Sequence, residues 1–153
     1  MQYKKTIQHF SELNTETLYE IMRVRQEVFV VEQNCPYLDA DGKDQYAYHL
    51  LLCNDEGKIM AYTRLLAEGV SYPGYISIGR VLSVQEFRGC GAGRAVMAES
   101  IKTCMEIFGR HYPIKIGAQS YLKDFYRSFG FEVSGEEYLE DGIPHLHMIR
   151  QWL

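Results

Sequence analysis

The sequence predicts an α+β fold, a central mixed and mostly antiparallel sheet flanked by helices. Two observations carry this reading. Short β-branched or alternating apolar runs bounded by turn residues recur along the chain, among them His49–Cys53, Ile59–Leu66 and Tyr75–Val84. One long stretch instead repeats Met97, Ile101, Cys104, Met105 and Phe108 at helical spacing. The resulting order, β-α-loop-β-β-β-α-β-α-β-β, makes most strand neighbours antiparallel.

Each element has a local reason. Tyr3 to Phe10 reads as a first strand, and Asn14 is the N-cap of a helix from Thr15 to about Phe29. Its apolar stripe, Leu18, Ile21, Met22 and Phe29, carries Arg25 in the same phase. Val31 to Asp44 is irregular and reads as loop. His49–Cys53 and Ile59–Leu66 form a hairpin about Asn54–Gly57, and Tyr72-Pro73-Gly74 turns the chain into the long strand Tyr75–Val84. After the long helix, Pro113 precedes a short strand, Ile114–Ala118. A helix bearing Leu122, Phe125, Tyr126 and Phe129 then stops at Gly130. Two last strands, Phe131 to about Glu140 and His145 to Leu153, flank Asp141-Gly142.

The chain's 153 residues suit one domain, 1–153, with a real core. A net charge of −4 argues against nucleic acid or an anionic membrane as the main partner. The N-terminus lacks an apolar h-region and no stretch reaches membrane length, so no membrane role is expected. Four cysteines lie far apart with no C-x-x-C pair, which points to free thiols in a reducing, cytoplasmic setting and away from structural zinc.

The chemistry concentrates in Arg88-Gly89-Cys90-Gly91-Ala92-Gly93, between a strand and the long helix. Glycines at alternate positions leave the backbone bare, so several N–H groups can converge on one anion at a helix N-terminus. A Walker loop would need Gly-Lys and then Ser or Thr, and the dinucleotide fingerprint would need Gly-x-Gly-x-x-Gly. Neither is present. Alone, the hexapeptide leaves a phosphate cradle and a ligand-free glycine turn standing side by side.

Gln119-Ser-Tyr-Leu-Lys-Asp-Phe-Tyr126-Arg-Ser-Phe-Gly130-Phe131 is the second motif. Arg-x-x-Gly-x-Gly after a strand resembles the pyrophosphate loop of the GNAT acyltransferases, and this segment resembles their Asn-x-x-Ala-x-x-Phe/Leu-Tyr-x-x-x-Gly-Phe signature. Phe125, Tyr126, Gly130 and Phe131 fit; Gln119 and Leu122 depart from the usual Asn and Ala. With Arg25-x-x-Val28-Phe29, Glu32-Gln-Asn-Cys-Pro-Tyr37, Asp39-x-Asp41-Gly42, Gly79-Arg80-Val81 and Asp141-Gly-Ile-Pro-His145, the whole chain resembles the ElaA-type subgroup of that family.

The resemblance implies the GNAT acyl-CoA N-acyltransferase fold, acetyl-CoA (coenzyme A) as cofactor, and direct transfer of acetyl to a primary amine of a small molecule or peptide. A non-catalytic acyl-CoA-binding or sensor domain is the alternative. It implies main-chain contacts to the cofactor from Val81, Leu82 and Ser83, a wrap of Arg88, Gly89, Cys90, Gly91, Ala92 and Gly93 around its pyrophosphate, and further contacts at Gln119 and Tyr126. It also implies that the strands Tyr75–Val84 and Ile114–Ala118 splay apart to admit pantetheine. Ser83 stands where many members have Val, which matters little for a main-chain contact. A homodimer is compatible with the sequence.

Tyr126 matches the tyrosine that protonates the departing sulfur; from helical spacing alone it would be a core residue. Glu32, Glu137, His145 and His147 are the candidate bases, and a base acting through ordered water stands equally beside them. Glu137 falls on the strand that usually faces the acceptor, amid a solvated run of acids, and His145-x-His147 lacks a third metal ligand. Phe29, at the end of the first helix, and Glu32, in the loop after it, are candidate substrate residues with Arg25, Arg64, Arg80, Glu137 and His145. Arg25, Arg64 and Arg80 lie in apolar patterns and must pair with carboxylates, for which Glu27, Glu32, Asp39 and Asp41 are available, or jointly hold a carboxylate-bearing acceptor. Asp39-Ala-Asp41-Gly42-Lys-Asp44 lacks the closing Glu of a calcium loop and reads as a turn.

Overall fold

The strand Ile59–Leu66 is buried at every residue after Ile59, which requires cover on both faces and places it inside the sheet. A computed structural model describes residues 1–152. Its strands are β1 (Lys4–His9), β2 (Tyr48–Cys53), β3 (Ile59–Leu66), β4 (Ile76–Ser83), β5 (Ile114–Gln119), β6 (Glu132–Glu140) and β7 (Ile143–Arg150). They lie in the order β1-β2-β3-β4-β5-β7-β6, and only β4 and β5 run parallel. The α+β reading holds. The residue predicted to end the last strand, Leu153, lies outside the described residues.

Turn chemistry sets the hairpins. Asn54 Oδ1 accepts from the N–H of Glu56 and Lys58 between β2 and β3. Asp141 and Gly142 both have positive φ, 50° and 78°, in the two-residue turn that joins β6 to β7, as a type I′ hairpin requires.

Helix α1 (Thr15–Arg25) starts where expected: Asn14 Oδ1 accepts the Thr17 N–H at 2.7 Å. It does not run on to Phe29 as an α-helix. From Gln26 to Glu32 the chain winds wider as a π-helix, a form that recurs at functional sites. Ile21, Val24 and Val28 pack with Leu51, Tyr62 and Leu82 on one face of the sheet. Helix α2 (Ala92–Phe108) covers the other face, setting Val96, Met97 and Cys104 against Leu50, Leu65, Ile76 and Ile78. Each such aliphatic side chain, once fully buried, stabilises the fold by about 1.5–3 kcal/mol. Helix α3 (Lys123–Arg127) is short, and Gly130 follows it at φ 93°.

Two irregularities open the sheet. β4 and β5 pair only at Ile76↔Ile114 and Ser77↔Lys115, then diverge. β4 also slips against β3: Gly79 pairs with Arg64 and Leu82 with Tyr62, so three steps on β4 face two on β3. Arg80 sits in that bulge at φ 50°, a conformation that costs a non-glycine residue about 1–2 kcal/mol.

Candidate active site

A cleft of about 760 Å³ opens where β4 and β5 part. Its floor includes Val81, Leu82 and Ser83 on one bank and Gln119 on the other, and Arg88 and Gly93 line the end nearest α2. Gly89, Cys90, Gly91 and Ala92 carry the chain past the lip. Gly89 and Gly91 take φ 82° and 91°, and a Cβ on either, or on Gly93, would meet nothing within 4 Å. Gly91 is the N-cap of α2, with no side-chain cap and no acidic residue in the first turn. The first N–H groups of a 17-residue helix therefore face open space with its positive dipole end. Such a cradle fits a pyrophosphate.

Arg88 bends inward. Its Nε and Nη2 donate to the Ser83 carbonyl at 3.1 and 3.0 Å, and its Nη1 and Nη2 pair with Glu32 at the end of the π-helix. Tyr126 lines the cleft from α3 while only 6% exposed. Burial pushes its hydroxyl well above the ordinary tyrosine range, so it holds its proton at neutral pH.

The other end of the cleft is built from side chains. Arg25 donates to Asp39 at 2.8 Å and Asp44 at 2.6 Å; Arg64 donates twice to Asp41 at 2.8 Å and to Asp44 at 3.0 Å. Arg80 donates to Asp39 at 2.8 Å and Asp41 at 3.3 Å. Burial works to raise the Asp41 and Asp44 carboxyls, yet the guanidinium hydrogen bonds prevail and hold both below the usual range. The arginine partners are thus three aspartates, and neither Glu27 nor Glu32 takes part: Glu27 pairs with Arg23 and Glu32 with Arg88. The segment read as a plain turn is the anchor of this network. Arg25 has no exposed surface, so it braces the wall without reaching an acceptor. Arg64 and Arg80 line the cleft with Phe29 and Glu32.

The sequence reading placed Glu137 toward the acceptor. It is exposed and outside the cleft: its neighbour Tyr138 pairs with His145 and faces inward, so Glu137 takes the other face. Gly135 takes φ 86° at a register slip in which four steps on β6, Ser134 to Tyr138, face two on β7, and this sets Tyr138 where an unbroken ladder would set Glu136. Tyr138 stacks on His145 and His147, and burial with nearby Glu140 pushes its hydroxyl up to about 12. His145 is 7% exposed and lines the cleft; His147 stands one step away, edge-on to Tyr72. Because the Ile143 carbonyl can only accept, its 2.7 Å contact fixes a proton on His145 Nδ1, which leaves Nε2 facing Glu140 at 3.3 Å. Tyr37, Tyr72 and Tyr138 escaped sequence analysis. Only Tyr138 had a signal, the glycine inside β6, which marks a bulge without saying which side chain it turns inward.

Residues 6–151 match the acetyltransferase (GNAT) domain family. This chain belongs to the GNAT acetyltransferase family. It is similar to protein ElaA of Escherichia coli, 42% identical over 149 residues that span 94% of this chain and 93% of ElaA. The crystal structure of Escherichia coli ElaA superposes with a TM-score of 0.90 at 38% identity, covering 98% of this chain and 100% of that one. An acyl-CoA N-acyltransferase from Pseudomonas aeruginosa gives the same TM-score at 37% identity, over 97% and 99% of the two chains. The GNAT family supplies the chemistry class, acyl transfer to amines, and the ElaA-type resemblance stands. Among the described residues no helix is long and apolar enough to cross a membrane.

Proposed function

We propose that the protein is an acetyl-CoA-dependent N-acetyltransferase that passes the acetyl group directly to a primary amine of a small molecule or peptide. The observation that carries the reading is the coincidence, in one cleft, of a splayed strand pair, an uncapped glycine-rich helix N-terminus and a buried tyrosine hydroxyl. Bound acetyl-CoA would supply an activated thioester. The N–H groups of residues 89–93 would hold its pyrophosphate, the main chain of Val81, Leu82 and Ser83 its pantetheine arm, and Gln119 the opposite bank.

Tyr126 serves as the acid that returns a proton to the leaving sulfur. His145 serves as the base: with Nδ1–H fixed on the Ile143 carbonyl, its Nε2 is the lone pair available to an incoming ammonium. Glu140 Oε2 lies 3.3 Å from that nitrogen. Arg64 and Arg80, neutralised by aspartates, shape the acceptor wall without adding net charge. Four free thiols support a reducing, cytoplasmic setting.

Release of CoA thiol from acetyl-CoA, screened against polyamines, amino acids, aminoglycosides and peptide N-termini, tests the reading. Amine-dependent release is expected for at least one class. CoA binding with no release across the panel would favour a sensor domain.

A further inference from the structure

Where β4 and β5 part, the two strands present glycines on the same face. Ser77↔Lys115 is the last pair of the parallel ladder, so Gly79 and Gly117 are the next residues to point toward the α1 side of the sheet. Their surroundings differ. A Cβ on Gly79 would meet nothing within 4 Å, whereas one on Gly117 would lie 2.9 Å from the Tyr138 hydroxyl and 3.5 Å from the Tyr72 hydroxyl. The β4 bank of the gap is open and the β5 bank is closed by two hydroxyls.

Those hydroxyls are held in place. The Tyr138 ring stacks on His147 at 4.6 Å between centroids and on His145 at 5.8 Å. Tyr72 meets His147 edge-on at 5.6 Å, and Lys115 Nζ lies 4.9 Å from its ring centre. His147 pairs with Gly117 across β7 and β5, so the stack stands on the strand it covers. Neither ring can retreat without giving up aromatic contacts.

We propose that this half-closed notch is the acyl pocket of the donor, and that Tyr72 and Tyr138 are its chain-length gate, admitting an acetyl group and excluding longer acyl chains. The inference rests on the acyl-CoA reading above. A donor arm lying between β4 and β5 has to stop where the ladder resumes at Ser77 and Lys115. Carbons beyond the thioester then have one way out, toward the open side of Gly79. On its β5 side that space meets the two hydroxyls over Gly117, where an added methylene is overpacked and strips a phenol of water without replacing its hydrogen bond.

Equilibrium binding of free CoA, acetyl-CoA, butanoyl-CoA and octanoyl-CoA to the intact protein tests the gate and needs no acceptor. Acetyl-CoA should bind within about threefold of free CoA, and butanoyl- and octanoyl-CoA at least about tenfold more weakly. Tyr138→Ala and, separately, Tyr72→Ala should bring the ratio of butanoyl-CoA to free CoA back to within about threefold in the same variant. Gly117→Ala, which thrusts a methyl into the place of the Tyr138 hydroxyl, should shift the ratio the other way and weaken acetyl-CoA relative to free CoA. The wild-type profile decides even if a tyrosine variant fails to fold. A flat wild-type profile, or truncations that keep the wild-type profile, overturns the gate while leaving the acyltransferase reading intact. Failure to bind free CoA overturns that reading, and the gate with it.

Discussion

The two ends of the cleft are made of different material. The donor end is main chain: two left-handed glycines, an uncapped helix start and the bare edges of two diverging strands. The acceptor end is side chain: three arginines cross-linked to three aspartates. Main-chain sites are specified by conformation, which a few glycines dictate locally. Side-chain sites depend on pairing across the fold; Arg80 and Asp39 are 41 residues apart. A change at the donor end should therefore abolish one ligand and spare the fold, and a change at the acceptor end should disturb the fold itself.

The largest expected effect is at the donor end. Gly91→Glu should abolish CoA binding, because a carboxylate would enter the anion site. Gly91 has φ 91°, so this variant also carries strain of about 1–3 kcal/mol. Gly93→Glu is free of that penalty, since Gly93 has no positive φ and open space around it. Wild type should gain melting temperature with CoA by mass action and neither variant should. Equal CoA-induced shifts in all three would remove the cradle from the mechanism.

Next comes Tyr126→Phe, which keeps the ring and removes the acid. Single-turnover rates should fall by about 100- to 10,000-fold, toward the low end because a thiolate near pKa 8.5 leaves readily. CoA affinity and melting temperature should stay close to wild type. Unchanged single-turnover chemistry would make Tyr126 a packing residue. A parallel collapse of CoA affinity would make its hydroxyl a cofactor contact.

At the acceptor end, Asp44→Asn leaves Arg25 and Arg64 short of a buried counter-charge and should cost about 3 kcal/mol in urea unfolding. The sign of the pH effect follows from the depressed carboxyl. Its contribution is complete above the ordinary value of 3.8 and is lost as pH falls through the lower folded value. Wild-type stability should therefore drop on acidification below about pH 4, and less steeply in the variant. An Asp44→Asn protein as stable as wild type would show that the network is dispensable.

The smallest effect is at Cys90, exposed at the start of α2 with its thiol donating to the Phe87 carbonyl at 2.7 Å. Saturating CoA should slow its alkylation, read by mass spectrometry, while Cys104 should show no comparable protection. Cys104 has no exposure, and burial pushes its thiol up to about 12. An unchanged Cys90 rate would argue against a pyrophosphate at this loop.

Local signals were read correctly where local physics decides. The Asn14 cap, the Asp141-Gly142 turn, the period of α2 and the break at Gly130 each depend on a few neighbouring residues. Three features were beyond that reach. The π-winding after Arg25 covers seven residues, too few for its wider period to show against that of an α-helix. The slip at Gly135 set Tyr138 opposite His145, where an unbroken ladder would set Glu136, because two extra residues enter β6 there and periodicity does not count them. And Arg88 pairs with Glu32, 56 residues away, although its motif names only an anion.

By itself, the sequence determined the strand and helix order, the bare backbone at residues 89–93 and the family, since these follow from short-range periodicity, glycine conformation and motif spacing. The tertiary structure decided which carboxylates neutralise Arg25, Arg64 and Arg80, which residue of β6 faces the cleft, and that two tyrosine hydroxyls close over Gly117. Those choices turn on register and on charges that meet only when distant segments pack, where burial forces every guanidinium to find a partner and admits whichever carboxylate lies within reach.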